Sequence, residues 1–93
     1  MEFGSRMIYY KDLLHREPLV QGGSVILLQD TRDGKGGIRL HADETATGEF
    51  YFSAYQGGRL LVKTSTGSGQ STHNSKKRAW DSFVSQLAKY AKG

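Results

Sequence analysis

Strict alternation over residues 49–56 is the feature that most constrains how this chain folds. Apolar and more polar side chains alternate there, as in a β-strand with one buried and one exposed face. Gly57 and Gly58 follow, and glycine tolerates the positive φ that two-residue hairpin turns require. An antiparallel hairpin over residues 49–64 is therefore predicted. Its inward side chains are expected to be Phe50, Phe52, Ala54, Leu60 and Val62.

Two further strands are predicted upstream of the hairpin. Residues 24–31 contain a β-branched and apolar run, and Asp33-Gly34 supplies turn residues after it. Residues 37–42 then alternate apolar and polar side chains. Together with the hairpin, these segments predict a four-stranded antiparallel sheet.

A long C-terminal helix is predicted to cover one face of this sheet. Between residues 75 and 91, apolar residues recur three and four positions apart, which places them on one side of a helix. A shorter helix is predicted over residues 8–16, where Tyr10, Leu13 and Leu14 have the same spacing. The predicted fold class is α+β, with four antiparallel strands packed by the long helix. The apolar stripe of that helix consists of Ala79, Trp80, Phe83, Val84, Leu87 and Ala91.

The length and composition are those of one small domain. The chain has 93 residues, of which 37% are hydrophobic. Residues 1–6 resemble a short leader encoded by a cloning site, so the single domain is predicted to span residues 7–93. No cysteine is present, and no apolar run approaches the roughly 18 residues of a membrane span. A cytoplasmic protein without a metal, a cofactor or a membrane attachment is expected.

Positive charge is concentrated in the C-terminal third. The formal net charge of the whole chain is +4. Up to Gly58 there are six basic and eight acidic residues, whereas seven basic residues and only Asp81 follow from Arg59 onward. An anionic partner is therefore expected to dock on the C-terminal part of the chain.

The start of the long helix has an unusual charge pattern. Asn74 or Ser75 is predicted to cap it, so that Lys76, Lys77 and Arg78 occupy the first turn beside the positive end of the helix dipole. Each cation placed there costs about 0.3–1 kcal/mol at low salt. Backbone N–H groups, the dipole and three cations together indicate a phosphate site. The alternative is an ordinary solvated charge run, since exposed charges interact weakly.

The segment before this helix is polar throughout. Residues 64–74 contain only Thr, Ser, Gly, Gln, His and Asn, which predicts a mobile loop. Short polar donors such as Ser68, Gln70, Ser71 and Thr72 suit contacts to sugar and phosphate oxygens. The nucleic-acid contacts predicted for the whole region are Arg59, Lys63, His73, Asn74, Ser75, Lys76, Lys77 and Arg78.

The same region resembles a known family. Residues 57–61 (Gly-Gly-Arg-Leu-Leu), 67–69 (Gly-Ser-Gly) and 75–79 (Ser-Lys-Lys-Arg-Ala) are similar to the second half of the double-stranded-RNA-binding domain. In that family a hairpin leads through a glycine loop to a helix that opens with Ser-Lys-Lys-x-Ala-Lys, whose cations bridge phosphates across the major groove. The resemblance covers roughly the last 40 residues. It implies that Lys76 and Lys77 clamp phosphates.

The sheet face turned away from the long helix offers a second surface for nucleic acid. Alternation places Arg39, His41, Tyr51, Tyr55 and Lys63 on it, where tyrosines can stack unpaired bases beside cations. A layout of four strands and one helix is also similar to the Whirly class of single-strand binders. The alternative is that both tyrosines are cross-strand fillers that stabilise the sheet.

The sequence carries no recognisable catalytic constellation. His15, His41 and His73 are far apart, without the spacing typical of metal ligands or of acid–base catalysis. A binding protein without enzyme activity is therefore expected. The competing class is a small protein-interaction module, such as an inhibitor or adaptor from a mobile element, which would leave a large apolar patch exposed. Trp80 would then either pack in the core or contact a partner, including a second copy of the chain.

Overall fold

The residues that the structure describes form one mixed sheet of five strands, with two helices on the same face. The structure, a computed structural model, describes residues 5–23, 25–67, 69 and 72–92. Its elements along the chain are β1 (Ser5–Ile8), α1 (Tyr10–Leu13), β2 (Val25–Leu28), β3 (Ile38–Glu44), β4 (Phe50–Gln56), β5 (Arg59–Ser65) and α2 (His73–Leu87).

The strands lie in the sheet in their chain order. β1 is parallel to β2, and every other neighbouring pair is antiparallel. The α+β class is confirmed. The four predicted strands are present and neighbouring strands among them are antiparallel, but the sheet has a fifth strand that joins it in parallel.

The additional strand comes from the beginning of the chain. β1 includes Ser5 and Arg6, which were predicted to lie outside the domain. Parallel neighbours need a crossover connection, and α1 with the segment after it supplies one. The helix predicted over residues 8–16 is shorter than expected, because Ile8 lies in β1 and the helix ends at Leu13.

β4 and β5 form the predicted hairpin. Gln56 pairs with Arg59, and the two residues between them turn the chain. Gly57 and Gly58 have φ angles of 58° and 81°, a region that a residue with a Cβ atom rarely adopts. The sequence thus predicts this turn correctly.

A β-bulge interrupts the register of the hairpin. Tyr55 pairs with Leu60 whereas Ala54 pairs with Val62, so Leu61 is the extra residue on β5. Leu60 therefore shares the face of Tyr55 and is 46% exposed. The prediction that Leu60 faces the helix is wrong, because one inserted residue reverses the alternation that it relies on.

α2 packs across β4 and β5 through its apolar stripe. The ring of Trp80 lies 5.0 Å from that of Phe52, centroid to centroid, and Phe83 lies 5.8 Å from the same ring. Trp80 is only 2% exposed, so it belongs to the core and has no surface left for a partner. The buried apolar residues within α2 are Ala79, Trp80, Phe83, Val84 and Leu87, as predicted. Ala91 is also buried, beyond the end of α2, where it bridges to Thr31.

α1 lies beside α2 on the same face of the sheet. The Tyr10 hydroxyl donates to the Val84 carbonyl at 2.9 Å, and the Trp80 indole Nε1–H donates to the Arg16 carbonyl at 3.2 Å. Leu13 is fully buried between the helix and the sheet core. Both helices of the described chain therefore cover one face, and neither is long and apolar enough to cross a membrane.

The connection between β2 and β3 is held by its own polar groups. The Asp33 carboxylate accepts hydrogen bonds from the Lys35 backbone N–H and from the Thr31 hydroxyl, both at 2.9 Å. These bonds hold the pKa of Asp33 below its ordinary value. The predicted strand over residues 24–31 ends at Leu28, so the connection is longer than a tight turn.

Candidate nucleic-acid interface

The uncovered face of the sheet, here called the open face, carries three rows of side chains across β3, β4 and β5. The pairing register defines these rows, because residues directly opposite one another point to the same face. The rows are Arg39–Tyr55–Leu60, His41–Ser53–Lys63 and Asp43–Tyr51–Ser65. The five side chains that alternation assigns to this face therefore do lie on it together.

Both tyrosines of the open face have a nitrogen-bearing neighbour. The Lys63 Nζ atom lies 4.6 Å from the centroid of the Tyr51 ring, and the His41 ring meets the Tyr55 ring edge-on with centroids 5.7 Å apart. Arg39 pairs directly with Tyr55 across the strands and is exposed. The face thus presents two aromatic rings, each flanked by a cation or an imidazole.

Ser53 occupies the centre of this surface. It is 2% exposed although it points away from both helices, so its larger neighbours on the open face lie over it. Tyr51 and Tyr55 stand on either side of it along β4, about 13 Å apart at the usual rise of an extended strand. This is a spacing of backbone positions, and it is wide enough for a separate base to stack on each ring.

One row of the open face continues across all five strands. Met7 pairs with Leu27, Leu27 with Arg39, Arg39 with Tyr55, and Tyr55 with Leu60. The end residues Met7 and Leu60 are well exposed. The sequence does not predict that Met7 and Leu60 lie on the open face. Met7 belongs to β1, which was not predicted, and Leu60 lies beside the bulge.

The helix start differs from the prediction in its cap. Thr72, rather than Asn74 or Ser75, is the N-cap of α2, and its hydroxyl accepts the Ser75 backbone N–H at 3.1 Å. Ser75 is buried within the first turn. Because the helix begins at His73, Lys77 and Arg78 fall in its second turn, where the dipole acts more weakly.

The three consecutive cations of α2 do not converge on one point. Successive helical residues project about 100° apart. The Lys76 Nζ atom lies 4.5 Å from the centroid of the Phe50 ring, a cation–π contact at the edge of the core. Lys77 lines a groove next to α1, and Arg78 is exposed. Lys76 is therefore engaged within the fold, while Lys77 and Arg78 are accessible.

The remaining predicted contacts are spread over the molecule. Arg59 follows the hairpin turn, at the opposite end of β5 from the segment that leads into α2. His73 and Asn74 are exposed at the beginning of α2. The polar residues Ser68, Gln70 and Ser71 lie outside the described residues, so the predicted mobility of this loop stays a prediction.

The described residues contain no cluster of three or more side chains suited to hold a metal ion. Comparisons of the chain with protein-family models, with curated proteins and with solved structures found no match. The resemblance to the double-stranded-RNA-binding domain therefore stays a prediction that rests on residues 57–79 alone.

Proposed function

We propose that this protein binds nucleic acid on the open face, with unpaired bases stacked on Tyr51 and Tyr55 and phosphates contacted by Arg39 and Lys63. The observation that supports this proposal most directly is that each tyrosine has a cationic residue as a neighbour in the sheet. Lys63 lies over Tyr51, and Arg39 is the cross-strand partner of Tyr55. Stacking platforms flanked by cations are typical of single-strand binding surfaces.

The energetics favour single strands over duplexes. Each base stacked on an aromatic ring contributes about 1–3 kcal/mol, which two rings can supply only if the bases are free to leave a helix. The rings are also accessible enough to act: Tyr55 is 36% exposed, and Tyr51 is half-buried. A duplex would present its phosphates but not its base faces to this surface.

Binding requires Lys63 to change its position. Its ammonium group now covers the ring on which a base would stack. An exposed cation–π contact contributes about 0.5–1 kcal/mol, less than the stacked base that would replace it. Lys63 is exposed, so its side chain can swing from the ring to a neighbouring phosphate. Lys63 would therefore contact the Tyr51 ring in the free protein and a phosphate in the complex.

The helix start is a separate surface for the same function. α2 packs on the covered side of the sheet, whereas the tyrosines point the other way. One short nucleic-acid strand therefore cannot contact the helix start and the tyrosines at once. Lys77 and Arg78 remain proposed phosphate contacts there, and Lys76 is a weaker candidate because it lies against Phe50. These cations supply sequence-independent attraction rather than base recognition.

A binding titration tests the proposal. Single-stranded DNA, single-stranded RNA and both duplexes are titrated with the protein at about 50 mM and about 200 mM salt, a range that weakens phosphate contacts strongly. We expect single strands to bind more tightly than duplexes, with a logarithmic salt slope of about −0.7 per phosphate contacted. Absence of binding to every nucleic acid at the lower salt concentration contradicts the proposal.

A protein-interaction module is the second candidate function, because the five-strand row places exposed Met7 and Leu60 on the same face as Tyr55. Met7 and Leu60 lie at the two ends of this row, so a protein partner would have to span the sheet to contact both. A protein partner would not produce the salt slope expected for phosphates. The titration above therefore separates the two candidates, and its negative result favours the interaction module.

A further inference from the structure

A groove of about 520 Å³ lies between α1 and α2, on the side of the molecule opposite the open face. Leu13 and Leu14 form part of one wall, and Trp80 and Val84 form part of the other. The basic side chains that line it are His15, Arg16 and Lys77. Two of these residues follow α1, and the third comes from α2.

Arg16 is fixed in this groove by its backbone. Its N–H donates to the Leu13 carbonyl at 3.2 Å, and its carbonyl accepts the Trp80 indole Nε1–H at 3.2 Å. The side chain therefore leaves the backbone from a defined point. The indole bond also makes Trp80 a direct neighbour of any change at Arg16.

The Nε–H group of the Arg16 guanidinium has no hydrogen-bond acceptor in the part of the chain that the structure describes. Among the described residues, Arg16 Nε is the one buried side-chain nitrogen or oxygen without a hydrogen-bond partner. Glu17 and Asp81 line the same groove, yet neither accepts from this atom. A buried donor left unpaired destabilises the fold. Because Arg16 Nε has less than 1 Å² of accessible surface, an acceptor from outside the chain reaches it only when the side chain turns into the groove, and that turn supplies the missing partner.

We propose that this groove binds a phosphate group, with the Arg16 guanidinium as the central donor and Lys77 as a second cation across the groove. Guanidinium N–H groups match two oxygens of a phosphate at once, and a lysine adds a mobile point charge. Glu17 and Asp81 leave the lining formally neutral, so a free phosphate binds weakly. The site lies on the opposite side from Tyr51 and Tyr55 and is independent of the stacking surface, and it shares Lys77 with the phosphate contacts proposed near the start of α2.

The single tryptophan of the chain provides the reporter. The Trp80 indole N–H and the Arg16 Nε–H signals are followed by NMR while sodium phosphate is added up to about 20 mM, with sodium chloride of equal ionic strength as the reference. We expect both signals to shift saturably with phosphate and not with chloride.

Arg16→Met is the decisive variant. It removes the buried unpaired donor but keeps both backbone hydrogen bonds, so we expect a Tm no lower than that of the parent and loss of the phosphate response. Lys77→Gln is expected to weaken the response several-fold. Lys89→Gln is the matched control, since Lys89 is exposed and does not line the groove.

Two further titrations identify the source of the phosphate and distinguish binding in the groove from binding on the open face. A response to inorganic phosphate alone indicates a free ion, whereas an equal response to a short single strand indicates a backbone phosphate. The Tyr51→Ala/Tyr55→Ala variant should respond to phosphate as the parent does. The proposal is overturned if the parent shows no saturable shift, if Arg16→Met responds like the parent, or if Arg16→Met melts well below it.

Discussion

The covered face and the open face of the sheet use alternate residues of the same strands, and they carry different kinds of side chain. On the covered face, Leu40 and Phe52 are fully buried beneath the helices. On the open face, their chain neighbours Arg39 and Tyr51 remain accessible beside further polar groups. Burial therefore accounts for the residues of the covered face, whereas on the open face it accounts for Ser53 and not for the exposed side chains around it. These exposed side chains are available for recognition.

Truncation of the covered face should have the largest effect on stability. Phe83→Ala removes a fully buried ring that packs on Phe52, and we expect the free energy of unfolding to fall by about 3–5 kcal/mol. Leu60→Ala on the open face is the control, with an expected change within about 0.5 kcal/mol. Denaturant titration measures both variants. Equal losses would contradict the assignment of the two faces.

The helix cap should have a smaller effect. Thr72→Ala removes the hydroxyl that accepts the Ser75 N–H, and we expect a loss of about 1 kcal/mol from the free energy of unfolding. Asn74→Ala is the control, because an exposed position inside the first turn favours alanine by a few tenths of a kcal/mol. If Asn74→Ala proves the more damaging change, the cap lies where the sequence alone predicted it.

The smallest effect is expected from Asp33, which belongs to neither face. Its pKa lies below the ordinary aspartate value of 3.8, chiefly because the Lys35 N–H and then the Thr31 hydroxyl donate to the carboxylate. The stabilisation that follows from this shift is present above pH 3.8 and is lost as the pH falls through the lower, folded-state pKa. Asp33→Ala should therefore be less stable than the parent at pH 6, and the difference should shrink in acid. A difference that persists unchanged at pH 2 would contradict this account.

The local elements of the fold were predictable because they depend on short-range patterns. Alternation and Gly57-Gly58 specify the β4–β5 hairpin, and the apolar stripe specifies α2. β1 was not predictable, since its four residues have no periodic signal and its parallel pairing depends on a distant strand. The cap was ambiguous because Thr72, Asn74 and Ser75 are all good N-cap residues, and loop closure decides among them.

The candidate site was predictable to a similar extent. The shared face of Arg39, Tyr51, Tyr55 and Lys63 follows from alternation once the hairpin is known. The presence of Leu60 there depends on the bulge, for which three successive apolar residues after a tight turn are the one available hint. Arg16 carries no sequence signal, because its significance lies in a buried atom without a partner.

The most direct test of the account compares the two cationic surfaces by their effect on single-strand affinity. Tyr51→Ala/Tyr55→Ala removes the rings of the open face, and Lys77→Gln/Arg78→Gln removes two accessible charges of α2. Tyr51→Phe/Tyr55→Phe keeps the rings and serves as the control for stacking. All variants are first shown to be folded by circular dichroism.

Binding of a fluorescent single strand to these variants is then measured at low salt. We expect the double alanine variant to lose about 1–3 kcal/mol of binding free energy per stacked base, and the double phenylalanine variant to bind nearly as the parent does. The double glutamine variant should lose less and chiefly flatten the salt dependence. Unchanged affinity in a folded double alanine variant would contradict the central claim and leave Tyr51 and Tyr55 as fillers of the sheet.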